Sequence, residues 1–254
     1  MLQRMGPTET RILALRKSKG PLIAALLDPD EFPPKRAAET ARLAVKSGAS
    51  IILVGGSTVA DQARLDAVVR HIKGNITTSP VVLFPNNVTG ISKYADAILF
   101  SSLLNSTNSY FLIGAQALGS MQIYRCHLET IPMGYIVFGN TSAASFIGQV
   151  NRMPSEKPAL TVIYALAAKY MGMRVLYLEA GSGSAETVTS STIKAVRKYF
   201  DGLLFVGGGI TSPESAKDIA KAGADVLVVG NLLQTAGFEK PLREIATMIR
   251  TKAG

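Results

Sequence analysis

Cysteine, histidine and tryptophan are nearly absent: the 254 residues include one cysteine, two histidines and no tryptophan. The single cysteine, Cys126, excludes an internal disulfide and a thiolate metal cluster. His127 follows it directly, but adjacent residues of a regular element point in different directions, so we expect a structural thiol rather than a nucleophile. His71 and His127 fall at a predicted helix end and in a connecting stretch, where surface or packing roles are expected.

Long apolar runs and dense charge clusters are missing as well. Residues 1–20 contain no apolar core of signal-peptide length, and no window approaches an uninterrupted membrane span, so we expect a soluble, cytoplasmic protein. The net charge of +9 fits anionic partners such as phosphates and diphosphates. The densest basic groups, residues 16–19 and 194–198, are not interleaved with aromatic residues. We interpret them as solvated helix faces and expect no nucleic-acid partner.

Short apolar runs alternate with amphipathic stretches along the whole chain. Hydrophobic residues make up 47% of it, enough for a large core. The runs are rich in Val, Ile and Leu, as expected for parallel strands that are buried on both faces. They predict eight strands, at residues 21–27, 50–54, 80–84, 95–100, 131–138, 174–178, 203–206 and 225–229.

Eight strands alternating with helices in a chain of this length predict an α/β fold: one (β/α)8 TIM barrel that occupies residues 1–254 as a single domain. An open doubly wound sheet is the alternative, but its glycine-rich fingerprint is absent after the first strand. Residues 85–94 are too few for a crossover helix and contain Pro85 and Gly90, so the third helix is predicted to be missing or replaced by an extended segment.

A long polar stretch, residues 139–158, follows the fifth predicted strand. In a barrel this position lies on the active-site face, where a lid or a substrate-binding loop is common. A short helix with flanking turns fits the same residues equally well, so the sequence leaves the two interpretations open.

Glycine clusters follow three consecutive strands, at residues 181–184, 207–210 and 230–231. Glycine lets backbone N–H groups approach phosphate oxygens closely, and the following helix N-terminus favours negative charge. Each cluster alone is a weak signal, because glycine after a strand is often only a tight turn. Together, at the strand ends where barrels commonly bind phosphate, they predict a phosphate site.

Carboxylates stand at two of the predicted strand ends. Asp28 and Asp30 follow the first strand, near the Ser57-Thr58 turn that follows the second. A carboxylate and a hydroxyl beside a phosphate pocket suit Mg²⁺, although Asx-turn and helix-capping roles are alternatives for Asp30 and for one hydroxyl. Glu179 stands at the entrance of the glycine-serine loop and shares a strand face with Tyr177, so it either caps that loop or acts chemically.

These motifs together resemble the geranylgeranylglyceryl phosphate synthase family, in chain order along nearly the whole sequence. The most specific stretch is residues 177–183, YLEAGSG, whereas the triple glycine is shared with many phosphate-binding barrels. Some members carry a lysine two residues before the first acid, where this chain has Leu26, so it resembles the second branch of the family, which carries the DPD motif. That family's barrel lacks a regular third helix.

The resemblance implies a prenyltransferase that joins geranylgeranyl or a similar long prenyl diphosphate to the 3-hydroxyl of sn-glycerol 1-phosphate. It implies Mg²⁺ held by Asp28 and Ser57, and we assign Glu179, with Tyr177, as the catalytic residues, Glu179 as the proton acceptor. A homo-oligomer and a transient contact of the enzyme with a membrane surface are also expected. The implied glycerol-phosphate residues are Tyr177, Leu178, Glu179, Ala180, Gly181, Ser182, Gly183, Gly208, Gly209, Gly230 and Asn231.

Two other functions remain open at this point. An isomerase or cyclase with the same phosphate loops would not need the Asp28 and Ser57 pair, but such enzymes usually pair acids on opposite strands, and the fifth strand ends at Phe138 without one. A non-enzymatic anion-binding scaffold is disfavoured by the scattered basic residues.

Overall fold

The structure, a computed structural model, describes residues 5–58, 61–139, 142–184 and 187–250. Within these ranges eight parallel strands hydrogen-bond in sequence order and close on themselves, because β8 pairs with β1. The predicted barrel is confirmed. Its strands are β1 (Leu22–Leu27), β2 (Ile51–Val54), β3 (Val81–Leu83), β4 (Ala97–Leu103), β5 (Glu129–Val137), β6 (Val175–Glu179), β7 (Leu203–Gly207) and β8 (Val226–Val229).

The helices begin where the sequence provides caps. Asp61, Ser142, Thr189 and Ser212 each accept a hydrogen bond from the backbone N–H three residues on, and four helices have proline as their first residue. The helices are α1 (Pro7–Lys19), α2 (Pro34–Lys46), α3 (Gln62–Asn75), α4 (Ala115–Arg125), α5 (Ala143–Ile147), α6 (Pro158–Tyr170), α7 (Ser190–Arg197), α8 (Pro213–Ala222) and α9 (Glu239–Arg250). Val59 and Ala60, predicted to begin the α3 helix, and Thr251, predicted to end α9, lie outside the described residues.

The strands bury both faces, as their near-continuous apolar sequence predicts. Alternate residues fill the barrel interior, where Tyr177, Phe205 and Leu99 pack among the inward side chains of the other strands. The intervening residues, such as Leu178 and Val206, pack outward against the helices. This alternation decides which residues near each strand end can reach the interior and which cannot.

The third crossover is irregular, as expected. Between β3 and β4 the described chain forms only a 3-10 turn, Val88–Gly90. The next crossover also departs from its predicted helix at residues 108–118, since a π-helical turn, Tyr110–Gly114, leads into α4, which continues to Arg125. Gly119 does not stop the helix, because it lies inside α4 and faces Ile91 of the irregular crossover.

The amino-terminal helix α1 closes the barrel at the N-terminal ends of the strands. Ile12 packs with the interior side chains of the strand starts. Glu9, only 2% exposed, forms a bidentate ion pair with Arg174, both N–O distances being 2.7 Å. The Glu129 carboxylate accepts hydrogen bonds from the backbone N–H groups of Thr8 and Glu9, at 2.7 and 2.8 Å. Helix α1 therefore covers this end of the barrel, and the cavity lies at the other.

We expect Arg174→Ala to destabilise the fold by about 3 kcal/mol, because removing one partner leaves the buried Glu9 carboxylate without its counter-charge. Thermal unfolding should show this as a lower Tm. The matched control is Lys169→Ala, which removes a 3.1 Å ion pair to Asp201, whose side chain is 79% exposed, and should leave Tm nearly unchanged. Equal losses in the two variants would contradict the structural role of the Glu9–Arg174 pair.

Candidate active site

A cavity of about 330 Å³ opens at the carboxyl ends of the strands. Of the thirteen residues predicted for the site, nine line it: Ser57, Tyr177, Glu179, Ser182, Gly183, Gly208, Gly209, Gly230 and Asn231. The remaining four do not line it: Asp28, Leu178, Ala180 and Gly181. Leu178 and Ala180 pack in the outer core, since alternation on β6 points them away from the barrel interior.

Tyr177 and Glu179 form the centre of the cavity wall. They point inward from β6, and the Tyr177 hydroxyl donates a hydrogen bond to Oε2 of Glu179. The other carboxylate oxygen, Oε1, accepts the backbone N–H of Gly181 at 2.8 Å. Glu179 is only 7% exposed, and among the described residues no basic side chain forms an ion pair with it. Both interpretations of Glu179 therefore meet here: it holds the first turn of the loop and also faces the cavity.

Burial raises the pKa of the Glu179 carboxyl above its ordinary value of 4.5, because the charged form is deprived of water. The hydrogen bonds from Tyr177 and Gly181 favour the charged form and offset only part of this effect. A carboxylate with a raised pKa is a stronger base than a solvent-exposed one, which suits it to accept a proton from a substrate.

The glycines after β7 make room for this carboxylate. A Cβ on Gly207 would lie 2.3 Å from the Tyr177 hydroxyl, and a Cβ on Gly208 would lie 2.6 Å from Oε1 of Glu179. Gly208 and Gly209 also have positive φ angles, of 84° and 70°. The triple glycine thus has a role that the sequence did not predict: it permits the close packing of the Tyr177–Glu179 pair, in addition to any contact with phosphate.

The loops after β6 and β8 are joined across the cavity. The Ser182 hydroxyl donates to the Asn231 side-chain oxygen at 2.9 Å. A Cβ on Gly183, whose φ is 73°, would lie 3.6 Å from the amide nitrogen of Asn231. Asn231 begins a 3-10 turn, Asn231–Gln234, so its backbone N–H group stands at the start of a helical turn. The predicted phosphate loops are thus brought together, and they leave N–H groups and hydroxyls beside Glu179.

Asp28 follows β1 directly and lies against the turn after β2. Its Oδ1 accepts the Asp30 backbone N–H at 2.9 Å, an Asx turn, and a Cβ on Gly56 would lie 1.9 Å from its Oδ2. Burial raises the pKa of Asp28 above its usual 3.8. Asp30 instead accepts a hydrogen bond from Thr58 at 3.1 Å, and Arg64 holds its backbone oxygen at 2.8 Å. Asp28 therefore lies beside the cavity, while Asp30 serves the turn.

Asp28 and Ser57 offer only a few of the oxygen ligands that Mg²⁺ needs. Among the described residues no group of three or more histidine, cysteine or acidic side chains could hold a metal ion. One carboxylate next to one hydroxyl is nevertheless the partial set that Mg²⁺ uses when phosphate oxygens and water complete its shell. The absent side chain at Gly56 is what lets Asp28 approach the Ser57 turn.

An aromatic wall was not found from the sequence. Phe84, Tyr135 and Tyr177 stack around the cavity, with ring centroids 5.1 to 5.4 Å apart. Burial and the nearby Glu179 charge raise the pKa of the Tyr135 hydroxyl well above 10.0, so it stays protonated. The register of β5 and β6 pairs Tyr135 with Tyr177, so the two side chains share the inward face.

A second part of the cavity is apolar. It runs down between β4, α4 and the irregular crossover, away from the polar loops, and exists because no regular third helix covers β3 and β4 there. Within the part of the chain that the structure describes, residues 142–158 form the short helix α5 and its turns, and α5 lies at the mouth of this groove. Asn140 and Thr141 lie outside it. The groove is lined by Val88, Ile91, Ile98, Leu99, Phe100, Leu103, Phe111, Ala115, Gly119, Ile123, Ala144 and Ile147.

His71 and His127 take no part in the cavity. His71 hydrogen-bonds within α3 to the Ala67 carbonyl at 2.8 Å, and His127 follows α4 with a φ of 50°. Among the helices that the structure describes, none combines the length and the hydropathy of a membrane span.

Two solved structures resemble the chain over nearly its whole length. One is described as (S)-3-O-geranylgeranylglyceryl phosphate synthase from Thermoplasma acidophilum in complex with the substrate sn-glycerol-1-phosphate, with 35% identity and a TM-score of 0.92, covering 97% of this chain and 99% of that one. The other, from Thermoplasma volcanium, has 37% identity and a TM-score of 0.90, covering 95% and 96%. A thiamine phosphate pyrophosphorylase at 13% identity, with a TM-score of 0.60, shares the fold.

Curated relatives agree with this likeness. Proteins named geranylgeranylglyceryl phosphate synthase from Cenarchaeum symbiosum and Nitrosopumilus maritimus are each 46% identical, over 96% and 95% of this chain and 99% and 96% of theirs. The resemblance drawn from the motifs is confirmed. With the PcrB family profile matched over residues 15–249 and relatives of this identity, the chain belongs to the PcrB family.

Proposed function

We propose that this protein is a prenyltransferase that joins a prenyl diphosphate to the 3-hydroxyl of sn-glycerol 1-phosphate, forming an ether and releasing diphosphate. One observation carries the proposal: Glu179, buried and hydrogen-bonded to Tyr177, stands between glycine-rich loops on one side and an apolar groove on the other, all within one cavity. The glycine-rich loops suit a phosphate, Glu179 suits a hydroxyl that must lose its proton, and the apolar groove suits a long hydrocarbon tail. The relatives' names support the same reaction.

The glycerol phosphate is placed at the loops after β6, β7 and β8. Backbone N–H groups of the glycine loops and the Ser182 hydroxyl surround the anionic end, and the turn that begins at Asn231 adds its partial positive charge. The phosphate held there directs the glycerol 3-hydroxyl toward Glu179, since Tyr177 and Glu179 stand at the inner edge of the loops.

The proposed reaction breaks one bond and forms another at C1 of the prenyl diphosphate. The C1–O bond to diphosphate breaks, the glycerol oxygen forms a bond to C1, and Glu179 accepts the hydroxyl proton. Mg²⁺, held by Asp28 and Ser57, would neutralise the charge that develops on the leaving diphosphate. The allylic carbon gains positive character as the diphosphate leaves, and the faces of Tyr135, Tyr177 and Phe84 stabilise that charge while excluding water.

The prenyl tail is placed in the apolar groove beside α4. Its walls carry mainly aliphatic and aromatic side chains, which release water when a hydrocarbon chain covers them. The groove begins near Ser57 and Phe84, so a substrate whose diphosphate lies at Ser57 can extend its tail without turning back on itself.

Incubation with sn-glycerol 1-phosphate and a ladder of prenyl diphosphates, with and without Mg²⁺, tests the proposal. We expect an ether product with the sn-1 enantiomer, little with sn-glycerol 3-phosphate, and loss of turnover when Mg²⁺ is chelated. Equal use of both enantiomers, or no ether product, would overturn the assignment.

Magnesium binding can be measured apart from turnover. We expect calorimetry to show that inorganic pyrophosphate binds in a Mg²⁺-dependent manner and that Asp28→Asn removes this dependence, because a neutral amide is a poorer Mg²⁺ ligand than a carboxylate. Mg²⁺-dependent binding of equal strength in Asp28→Asn would place the metal on other residues.

Gly207→Ala should lower kcat/KM by at least about 100-fold, because the added methyl overlaps the Tyr177 hydroxyl and displaces the Tyr177–Glu179 pair. The control is Gly74→Ala near the end of α3, where a Cβ would meet no atom within 4 Å. It should leave turnover unchanged and leave Tm equal or higher, since alanine favours helix. A fully active Gly207→Ala would show that the pair tolerates displacement.

We also propose that the protein forms a homo-oligomer through apolar side chains on α4 and α6, the helices on either side of β5. Leu118 and Tyr124 of α4 are 70% and 74% exposed, and Ile163 of α6 is 61% exposed. Light scattering should give a mass above that of one chain, and Leu118→Glu combined with Ile163→Lys should lower it. A monomeric wild type would contradict the proposal.

A transient membrane contact is proposed at the groove mouth. Phe146 of α5 is 84% exposed and lies next to Ile147, which lines the groove. An exposed aromatic side chain at the entrance of a hydrocarbon site can enter a lipid surface and shorten the substrate's path through water. Co-sedimentation with anionic vesicles should fall in Phe146→Ser, and equal binding of both proteins would place the contact elsewhere.

A further inference from the structure

Asn86 follows β3 in the irregular crossover and joins two strand ends through its side chain. The amide nitrogen donates a hydrogen bond to the Ser57 backbone oxygen, in the turn after β2, at 2.9 Å. The residue also lines the cavity. Because no regular helix follows β3, this side chain lies directly against the neighbouring turn.

The other end of the same amide is unpaired. Its oxygen is buried and has no hydrogen-bond partner within the described ranges. A Cβ on the facing Gly90 would lie 3.7 Å from this oxygen. A buried amide oxygen without a donor destabilises a fold, and a leucine of similar shape would remove that penalty. Stability alone therefore does not account for asparagine at this position.

The turn that Asn86 holds is fixed on both sides. A Cβ on Gly55 would lie 1.9 Å from the Phe84 backbone oxygen, and a Cβ on Gly56 would lie 1.9 Å from the Asp28 carboxylate. The turn is thus pressed between β1 and β3, and the Asn86 amide adds a directional contact to its Ser57 end. This contact holds the backbone of the residue that carries the Ser57 side chain, and Ser57 lines the cavity.

We propose that Asn86 is a positioning residue for the diphosphate end of the prenyl substrate and acts through Ser57. The proposal rests on the proposed function for the identity of that substrate. It assigns Asn86 to one substrate only: its amide bonds to the turn after β2, whereas the glycerol-phosphate loops follow β6, β7 and β8.

The test is Asn86→Leu, which keeps the approximate shape and removes both the donor and the unpaired oxygen. We expect KM for the prenyl diphosphate to rise at least 10-fold, KM for glycerol phosphate to stay within twofold, and Tm to equal or exceed that of the wild type. Asn86→Ala provides a second variant without the donor. The control, Asn75→Leu, removes an exposed amide that bonds only within α3, at 2.8 Å, and should change neither KM.

Calorimetry with Mg²⁺ and inorganic pyrophosphate gives a readout without turnover, and both Asn86 variants should bind pyrophosphate at least 10-fold more weakly. A lower Tm with both KM values raised together would assign Asn86 a purely structural role, and an unchanged KM for prenyl diphosphate would also overturn the proposal. If the wild type forms no ether product, the proposed function fails, whereas the pyrophosphate measurement still decides whether Asn86 positions Ser57.

Discussion

Glu179→Gln should lower kcat by about 100- to 10,000-fold and at the same time stabilise the protein at neutral pH. The loss of rate follows because an amide cannot accept the glycerol hydroxyl proton. The gain in stability follows because the buried carboxylate, which no cation of the described residues pairs with, is replaced by a neutral group of the same shape. Gln can still accept the Gly181 N–H and donate to the Tyr177 oxygen, so the geometry is kept.

The stability advantage of Glu179→Gln over the wild type should increase with pH. The folded-state pKa of Glu179 is raised above its ordinary 4.5, so the folded state binds the proton more tightly than the unfolded state does. The contribution of Glu179 is therefore fully present below its unfolded pKa and is lost as pH rises through the folded pKa. The advantage of Glu179→Gln in Tm should be small in acid, grow across that window and then remain constant.

Tyr177→Phe supplies an independent check. The Tyr177 hydrogen bond lowers the pKa of Glu179, so its removal should move the acidic limb of the rate profile to higher pH.

Two outcomes would contradict these assignments. A Glu179→Gln enzyme with near-normal turnover and unchanged Mg²⁺-dependent pyrophosphate binding would place the base elsewhere. An acidic limb that stays in place in Tyr177→Phe would assign that limb to another group.

The hydrophobic periodicity of the sequence and the positions of its glycine and proline residues were enough to predict the barrel, the missing third helix and the three glycine loops. They were not enough to predict which role each loop has. Gly208 fits a phosphate-binding interpretation by composition, yet its missing Cβ accommodates Glu179, and this depends on the register between β6 and β7. Tyr135 was missed for a similar reason, since nothing near it in sequence marks a site and only the pairing of β5 with β6 places it beside Tyr177.

Residues 177 to 180 also show what the sequence could not predict. The family resemblance assigned one binding role to consecutive residues, whereas in a strand consecutive side chains point to opposite faces. Tyr177 and Glu179 therefore face the cavity, and Leu178 and Ala180 pack in the outer core. The apolar groove could not be placed at all from the sequence, because its walls come from three separate segments that only the closed barrel brings together.

Gly119→Phe should shorten the prenyl chain that the protein accepts. A Cβ at this position would point at Ile91 and Val88, at 2.9 and 3.9 Å, so a larger side chain enters the space between α4 and the irregular crossover where the tail is placed. We expect kcat/KM for the four-isoprene diphosphate to fall at least about 100-fold, while the two-isoprene diphosphate loses only a few-fold, because its tail ends before the obstruction.

The control stands one residue away. Ser120→Phe adds similar bulk to the outer face of the same helix, where the side chain is exposed, and should leave the chain-length preference unchanged. A second substitution, Ile91→Ala, removes the side chain that the new ring would meet and should restore part of the activity on the long substrate. A uniform loss for all chain lengths would mean that Gly119→Phe disturbs α4 itself. An unchanged preference would place the tail outside this groove, since a ring at residue 119 and a long tail cannot occupy the same space.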